Sequence, residues 1–202
     1  MKLPTIIVNF KTYESAIGDN ALKLAQIHDR VAQETNLSFA VCVQASDVYR
    51  VSQAVSIPVF AQHIDPVTFG SHTGHVLPEA IKQAGAYGTL INHAEHQVEF
   101  DVLEQSIARA KDVGLFTCVC ANTPEAAVQI ARFNPDLIAV EPPELIGGDV
   151  SISSAKPEVI TETVAKLGEG KVLVGAGVKT SEDTKKAIEL GASGVLLASG
   201  VT

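Results

Sequence analysis

Three cysteines among 202 residues are too few, and odd in number, for a disulfide framework. Cys118 and Cys120 stand two apart in an apolar run, on one face of a strand, and read as buried reduced thiols rather than a metal or redox pair. Basic residues are in deficit: 15 Lys and Arg against 23 Asp and Glu leave a net charge of −8, with the cations scattered. That balance excludes a protein that grips a phosphate backbone, so no nucleic-acid partner is expected. No apolar run reaches about 18 residues, and Met1-Lys2-Leu3-Pro4 leads into a strand-like segment too short for a signal core. No membrane partner is expected, and the chain reads as cytoplasmic. A Pro/Ser-rich linker and blocks of like charge are also missing, so residues 1–202 read as a single domain. With 46% hydrophobic residues, of which few are aromatic, there is ample material for a core and disorder is excluded.

What the chain does have is alternation. Short β-branched runs at 5–10, 38–43, 58–62, 88–92, 116–120, 137–141, 172–176 and 194–198 read as strands. Amphipathic stretches at 20–35, 46–56, 78–85, 98–113, 124–133, 157–167 and 181–190 read as helices, several opened by a capping residue or an early Pro. Gly85, Gly114 and Gly191 close three of them. Eight strands buried on both faces and alternating with seven helices predict a compact α/β fold, a (β/α)8 TIM barrel. Its final helix is missing or truncated, because only Ser199-Gly200-Val201-Thr202 follows the last strand. An open doubly wound sheet is the alternative. Most loops are short, but residues 63–76, with His63, His72 and His75, form a long irregular excursion of the kind that serves function or contacts a partner.

Barrel chemistry sits where strands end at their C-terminal side. There the sequence offers Asn9 and Lys11 at the first strand, Gln62 and His63 at the third, and Asn92, His93 and Glu95 at the fourth. Glu141 follows at the sixth, Gly175 and Gly177 at the seventh, and Ser199 and Gly200 at the eighth. A carboxylate, an imidazole and an ammonium facing one mouth suit proton movement on a small anionic substrate. The glycines of the last two strand ends let backbone N–H groups approach a phosphate, although such turns also occur simply to accommodate positive φ. Glu141-Pro142-Pro143-Glu144-Leu145-Ile146-Gly147-Gly148 reads as a lid with a stiff entry and a flexible exit, the plainer alternative being a solvated loop.

These segments resemble the triosephosphate isomerase family, in its short archaeal-type branch. The resemblance runs from Pro4 to the last residue and rests on Asn9-Phe10-Lys11-Thr12-Tyr13, Ala61-Gln62-His63-Ile64-Asp65-Pro66, Gly70-Ser71-His72-Thr73-Gly74-His75-Val76, Asn92-His93, Val140 through Gly147, Gly175-Ala176-Gly177 and Val195 through Gly200. It implies interconversion of dihydroxyacetone phosphate and D-glyceraldehyde 3-phosphate through an enediolate, in glycolysis and gluconeogenesis, with no cofactor and no metal. By the same resemblance Glu141 is the base, His93 a neutral electrophile, Lys11 the cation that offsets developing charge, Asn9 the group that fixes a substrate oxygen, and Glu95 a carboxylate beside the lysine. Phe10, Ile146, Gly147, Gly177, Ala198 and Ser199 complete the implied substrate and phosphate contacts. Loop 63–76 is implied to insert its Thr73-Gly74 tip into a neighbouring subunit, giving a homo-oligomer, with a homotetramer favoured and a homodimer possible.

The logic of such a site is independent of the family. A carbon acid beside a carbonyl is too weak for a solvated carboxylate of pKa about 4.3 to deprotonate quickly, so water must be excluded and the oxyanion stabilised. His93 is expected just before a helix start, whose N-terminus would keep the imidazole neutral. Three histidines in loop 63–76 raise a metal site as a lesser alternative. Ala94 replaces the family's usual serine, and Asp149 its second hinge glycine; Asp149 is expected to point to solvent, with Gly148 giving the flexibility. The rivals are another phosphate-binding barrel enzyme, which would want a Schiff-base lysine or a metal set, and a non-catalytic sugar-phosphate binder, which would need no base.

Overall fold

The computed structural model describes residues 1–148 and 150–202. Eight strands, β1 Thr5–Asn9, β2 Ser38–Val43, β3 Val59–Ala61, β4 Gly88–Ile91, β5 Phe116–Ala121, β6 Leu137–Val140, β7 Val172–Val174 and β8 Gly194–Leu197, pair in sequence order as one closed parallel barrel. Closure is made by β8 on β1, with Thr5 opposite Gly194 and Val8 opposite Leu197, and this seam overturns the open-sheet alternative. Around it stand α1 Gly18–Thr35, α2 Val48–Ser52, α3 Pro78–Gln83, α4 Phe100–Asp112, α5 Pro124–Ala131, α6 Ile152–Ala155, α7 Pro157–Leu167 and α8 Ser181–Glu189. Among the described residues, no helix is long and apolar enough to cross a membrane. After β8 the described residues form a turn, in which Val201 N–H and Thr202 Oγ1–H both donate to Ala198 O.

Local chemistry accounts for the element ends. Thr123 caps α5 by accepting from Ala126 N–H with Pro124 in the first turn, and Thr180 and Asp183 form a reciprocal capping box on α8. Gly85, Gly114 and Gly191 take positive φ where their helices stop, as the sequence predicts. The helix expected over 46–56 shortens to Val48–Ser52, and α6 is an addition. A four-residue helix carries no periodicity by which to read it.

Alternation along each strand divides the buried residues into two sets. Ile7, Ala40, Cys42, Phe60, Leu90, Cys118, Cys120, Leu137, Ala139, Leu173 and Leu196 fill the barrel interior. Their neighbours Val8, Val41, Ala61, Ile91, Val119 and Val140 pack outward against Ala21, Ala25, Leu103 and Ile107 of the helices. The three cysteines are free and buried, as read from the sequence.

The closing seam depends on Gly194, whose φ is +145° and whose Cβ, if present, would overlap the Thr5 carbonyl. Gly194→Ala is expected to cost about 3 kcal/mol or more in urea unfolding, and an unchanged midpoint would contradict this account of closure.

Candidate active site

At the C-terminal mouth one cavity is lined by the side chains of Asn9, Lys11, Tyr13, His93 and Glu141 and by residues 146–148, 176–179 and 196–199. Ile146, Gly147, Gly177, Ala198 and Ser199 therefore all reach it. Two expected residues do not. Phe10 follows Asn9 by one position, so strand alternation turns it outward, where it is fully buried with its ring 5.8 Å from that of His28. Glu95 lies beside the cavity and acts on its members: Oε1 is 2.5 Å from Lys11 Nζ, and Oε2 is 3.8 Å from His93 Nδ1.

Glu141 continues the inward register of Leu137 and Ala139 and is 5% exposed. Burial pushes its carboxyl up to about 7, against a hydrogen bond from the Cys120 thiol and the Lys11 charge, which favour the anion. The Cys120 thiol can act only as a neutral donor, since burial and the Glu141 charge push its own pKa well up. Glu141 Oε2 is buried and has no hydrogen-bond partner among the described residues. The neighbouring strand makes room for the group: a Cβ on Gly175 would fall on the Glu141 carboxylate. Gly175 thus makes the room for this carboxylate, a role its sequence signal does not reveal.

His93 faces this carboxylate with Nε2 3.7 Å from Glu141 Oε2, too far for a hydrogen bond. Its Nδ1 accepts from Glu95 N–H at 3.2 Å. An amide N–H only donates, so the proton of the neutral ring sits on Nε2, toward the cavity. Burial chiefly lowers the His93 pKa, Lys11 adding to this and Glu95 opposing it. The expected source of that N–H is corrected: α4 begins only at Phe100, and a turn at residues 94–96 supplies the amide instead.

Lys11 sits at φ +48°, a conformation strained for a side-chain-bearing residue. Its N–H donates to Asn9 Oδ1 at 3.0 Å, and its carbonyl accepts from Gln62 Nε2 at 2.9 Å. Past the end of β7, Ala176 and Gly177 take φ of +72° and +69°, and a Cβ on Gly177 would overlap the Val150 carbonyl. The segment after β6 contains a 3-10 turn, Pro143–Leu145, in which Ile146 N–H donates to Pro143 O at 3.2 Å, and Glu144 pairs with Lys156. The Ile146 amide is therefore committed within its own segment in this conformation. The orientation expected of Asp149 lies outside the described residues.

Loop 63–76 is closed at its base, where Asp65 N–H donates to Val76 O and Val76 N–H to Asp65 Oδ2, and Arg109 Nε–H donates to Val67 O. Residues 68–75 are exposed, Phe69 to 71%. The histidines separate: the His63 ring stacks 4.3 Å from His96, while His72 pairs with His75 at the tip. No three His, Cys, Asp or Glu side chains among the described residues group to hold a metal ion. Between the loop base and Lys11 lies a second cavity of about 480 Å³, lined in part by Thr12, Gln44, Gln62, His63, Glu95 and His96.

The family model described as triosephosphate isomerase matches residues 4–202. The chain is 48% identical to the triosephosphate isomerase of Methanobacterium bryantii, covering 98% of this chain and 89% of that protein. It is 49% identical to that of Methanothermobacter thermautotrophicus, over 98% and 88%, and 47% identical to that of Methanocaldococcus jannaschii, over 97% and 91%. In fold it is similar to the crystal structure of the Bartonella henselae triosephosphate isomerase, with a TM-score of 0.74 at 21% identity over 97% of this chain and 92% of that one. A closed parallel barrel carrying a buried carboxylate, a neutral imidazole and a lysine at one mouth, with this similarity over nearly its whole length, belongs to the triosephosphate isomerase family.

Proposed function

We propose that the chain carries out the family's interconversion of dihydroxyacetone phosphate and D-glyceraldehyde 3-phosphate with Glu141 as its base and His93 as its electrophile. The observation that carries this assignment is the buried, unpartnered Glu141 oxygen 3.7 Å from the Nε2 of a neutral His93. Glu141 takes a proton from the hydroxyl-bearing carbon, and the C–H electron pair forms the carbon–carbon double bond as the carbonyl pair moves onto oxygen. His93 Nε2–H donates to that oxygen and relays a proton between the two oxygens of the enediolate. Glu141 returns its proton to the adjacent carbon, which completes the isomerisation with no net loss of atoms. Lys11 offsets the negative charge of substrate and enediolate, and Asn9 fixes a substrate oxygen. The glycine-rich turns at Gly177 and at 198–199, with Gly147 of the lid, receive the phosphate through backbone N–H groups. Ile146 joins them once its amide leaves Pro143.

We further propose a homo-oligomer in which the Thr73-Gly74 tip of loop 63–76 seats in the second cavity of another copy, with a homotetramer favoured over a homodimer. The exposed Phe69, the pinned loop base and an open cavity beside Lys11 support this reading. A cytoplasmic setting agrees with three buried free thiols.

The base must be ionised, so kcat/KM is expected to fall as pH drops below about 7, approaching tenfold per unit; a rate flat down to pH 5 would contradict the assignment. Raised from 4.5 to about 7 by folding, the Glu141 pKa makes the native state bind the extra proton, so stability declines as pH rises through that window. Glu141→Gln is therefore expected to lower kcat at least about 1000-fold while stabilising the fold at pH 8 by on the order of 3 kcal/mol, a gain absent below pH 4.5. Loss of activity with loss of stability at pH 8 would point to a structural group. Removal of residues 72–75 is expected to give monomers in sedimentation equilibrium, whereas persistence of the oligomer would remove the loop from the interface.

A further inference from the structure

Gln62 lies outside the substrate cavity and yet touches two of its principal members. It continues the inward register of Phe60 at the end of β3, half-buried, and reaches toward β1. Its Nε2 donates to Asn9 Oδ1 at 3.2 Å and to Lys11 O at 2.9 Å, with Cys42 O a third acceptor at 3.4 Å. All three partners are acceptors, so the position demands an N–H donor, and a carboxylate of the same shape would face three oxygens.

We infer that Gln62 is a positioning residue for the isomerisation, holding Asn9 and the strained turn at Lys11 in the conformation that points both at the substrate. The inference rests on the reading of those two groups as substrate-facing. Asn9 Oδ1 accepts from both Lys11 N–H and Gln62, which fixes the carboxamide and leaves its Nδ2–H groups for the cavity. Lys11, at φ +48°, has its N–H tied to Asn9 and its carbonyl to Gln62, so neither backbone group is free to relax toward negative φ. The ammonium is thereby kept against Glu95 at the edge of the cavity. Without the amide of Gln62, the orientation of Asn9 and the lysine turn each lose a restraint at once.

Gln62→Met keeps the side-chain volume and removes the donor. It is expected to lower kcat/KM roughly 10- to 100-fold, with KM raised, as befits misplaced substrate-facing groups. Because the Lys11 charge favours the Glu141 anion, withdrawal of the ammonium should also move the acid limb of the kcat/KM profile to higher pH. A defect of folding alone would leave that limb in place. In a Lys11→Met background, Gln62→Met should cost less than it does in the wild type, because the part of its effect that acts through the ammonium is already lost and only the part through Asn9 remains. Gln62→Glu should not rescue, since it offers no donor at pH 8. Gln62→Asn, with its amide one methylene short, is the milder variant should Gln62→Met fail to fold, and should show the same upward shift. Wild-type kcat/KM in Gln62→Met, or a loss with an unmoved acid limb that multiplies with Lys11→Met, would overturn the inference. Full activity in Lys11→Met alone would overturn the reading of Lys11 beneath it, and the inference with it.

Discussion

Keeping a carboxylate inside the mouth of a packed barrel is costly, and much of the surrounding structure answers to that cost. Glu141 gives up hydration on entering the inward register of β6, and the thiol of Cys120 and the charge of Lys11 return only part of it. An ionised carboxylate with an unsatisfied oxygen is a far stronger base toward a carbon acid than one surrounded by water. The same lack of partners makes the residue a burden on the fold. Closure of the barrel, which fixes β6 against β7, and the bare Cα of Gly175, which yields the space, are what keep the group in place.

Strand alternation distributes labour around this centre. Inward positions at the rim carry Asn9, Gln62 and Glu141, while the residues next to them, Phe10, Ala61 and Val140, serve the layer between sheet and helices. The imidazole is handled differently. His93 stands just past the end of β4, and its protonation state is set locally, by burial and by one amide of a tight turn. The geometry of the mouth thus relies on short-range backbone arrangements at strand exits, several with positive φ, as at Lys11, Asn92 and Ala176.

Most of the fold could be read from the chain because a parallel barrel writes its strands as apolar runs and its helices between caps and glycines. Lys11, His93 and Glu141 were legible by a general rule, since polar residues that follow barrel strands face the mouth. Phe10, though adjacent to Asn9 in the motif, has its ring turned outward by the two-residue period of β1. Other features had no local signature. The hydrogen bonds of Gln62 to Asn9 and Lys11 join residues 53 and 51 positions apart, and the room that Gly175 makes for Glu141 exists only once β6 and β7 are side by side. The hydrogen bond from Ile146 N–H to Pro143 O and the short helix α6 likewise depend on the path of the folded loop.

The account stands or falls on the state of one carboxyl group. Carbon-13 NMR titration of Glu141 in the unliganded protein, with Glu141→Gln identifying the resonance, tests it most directly. A midpoint near 7 is expected for a carboxyl buried at the barrel mouth as Glu141 is. A midpoint near the ordinary 4.5 would mean that water reaches the group, and that burial is not what makes it a base.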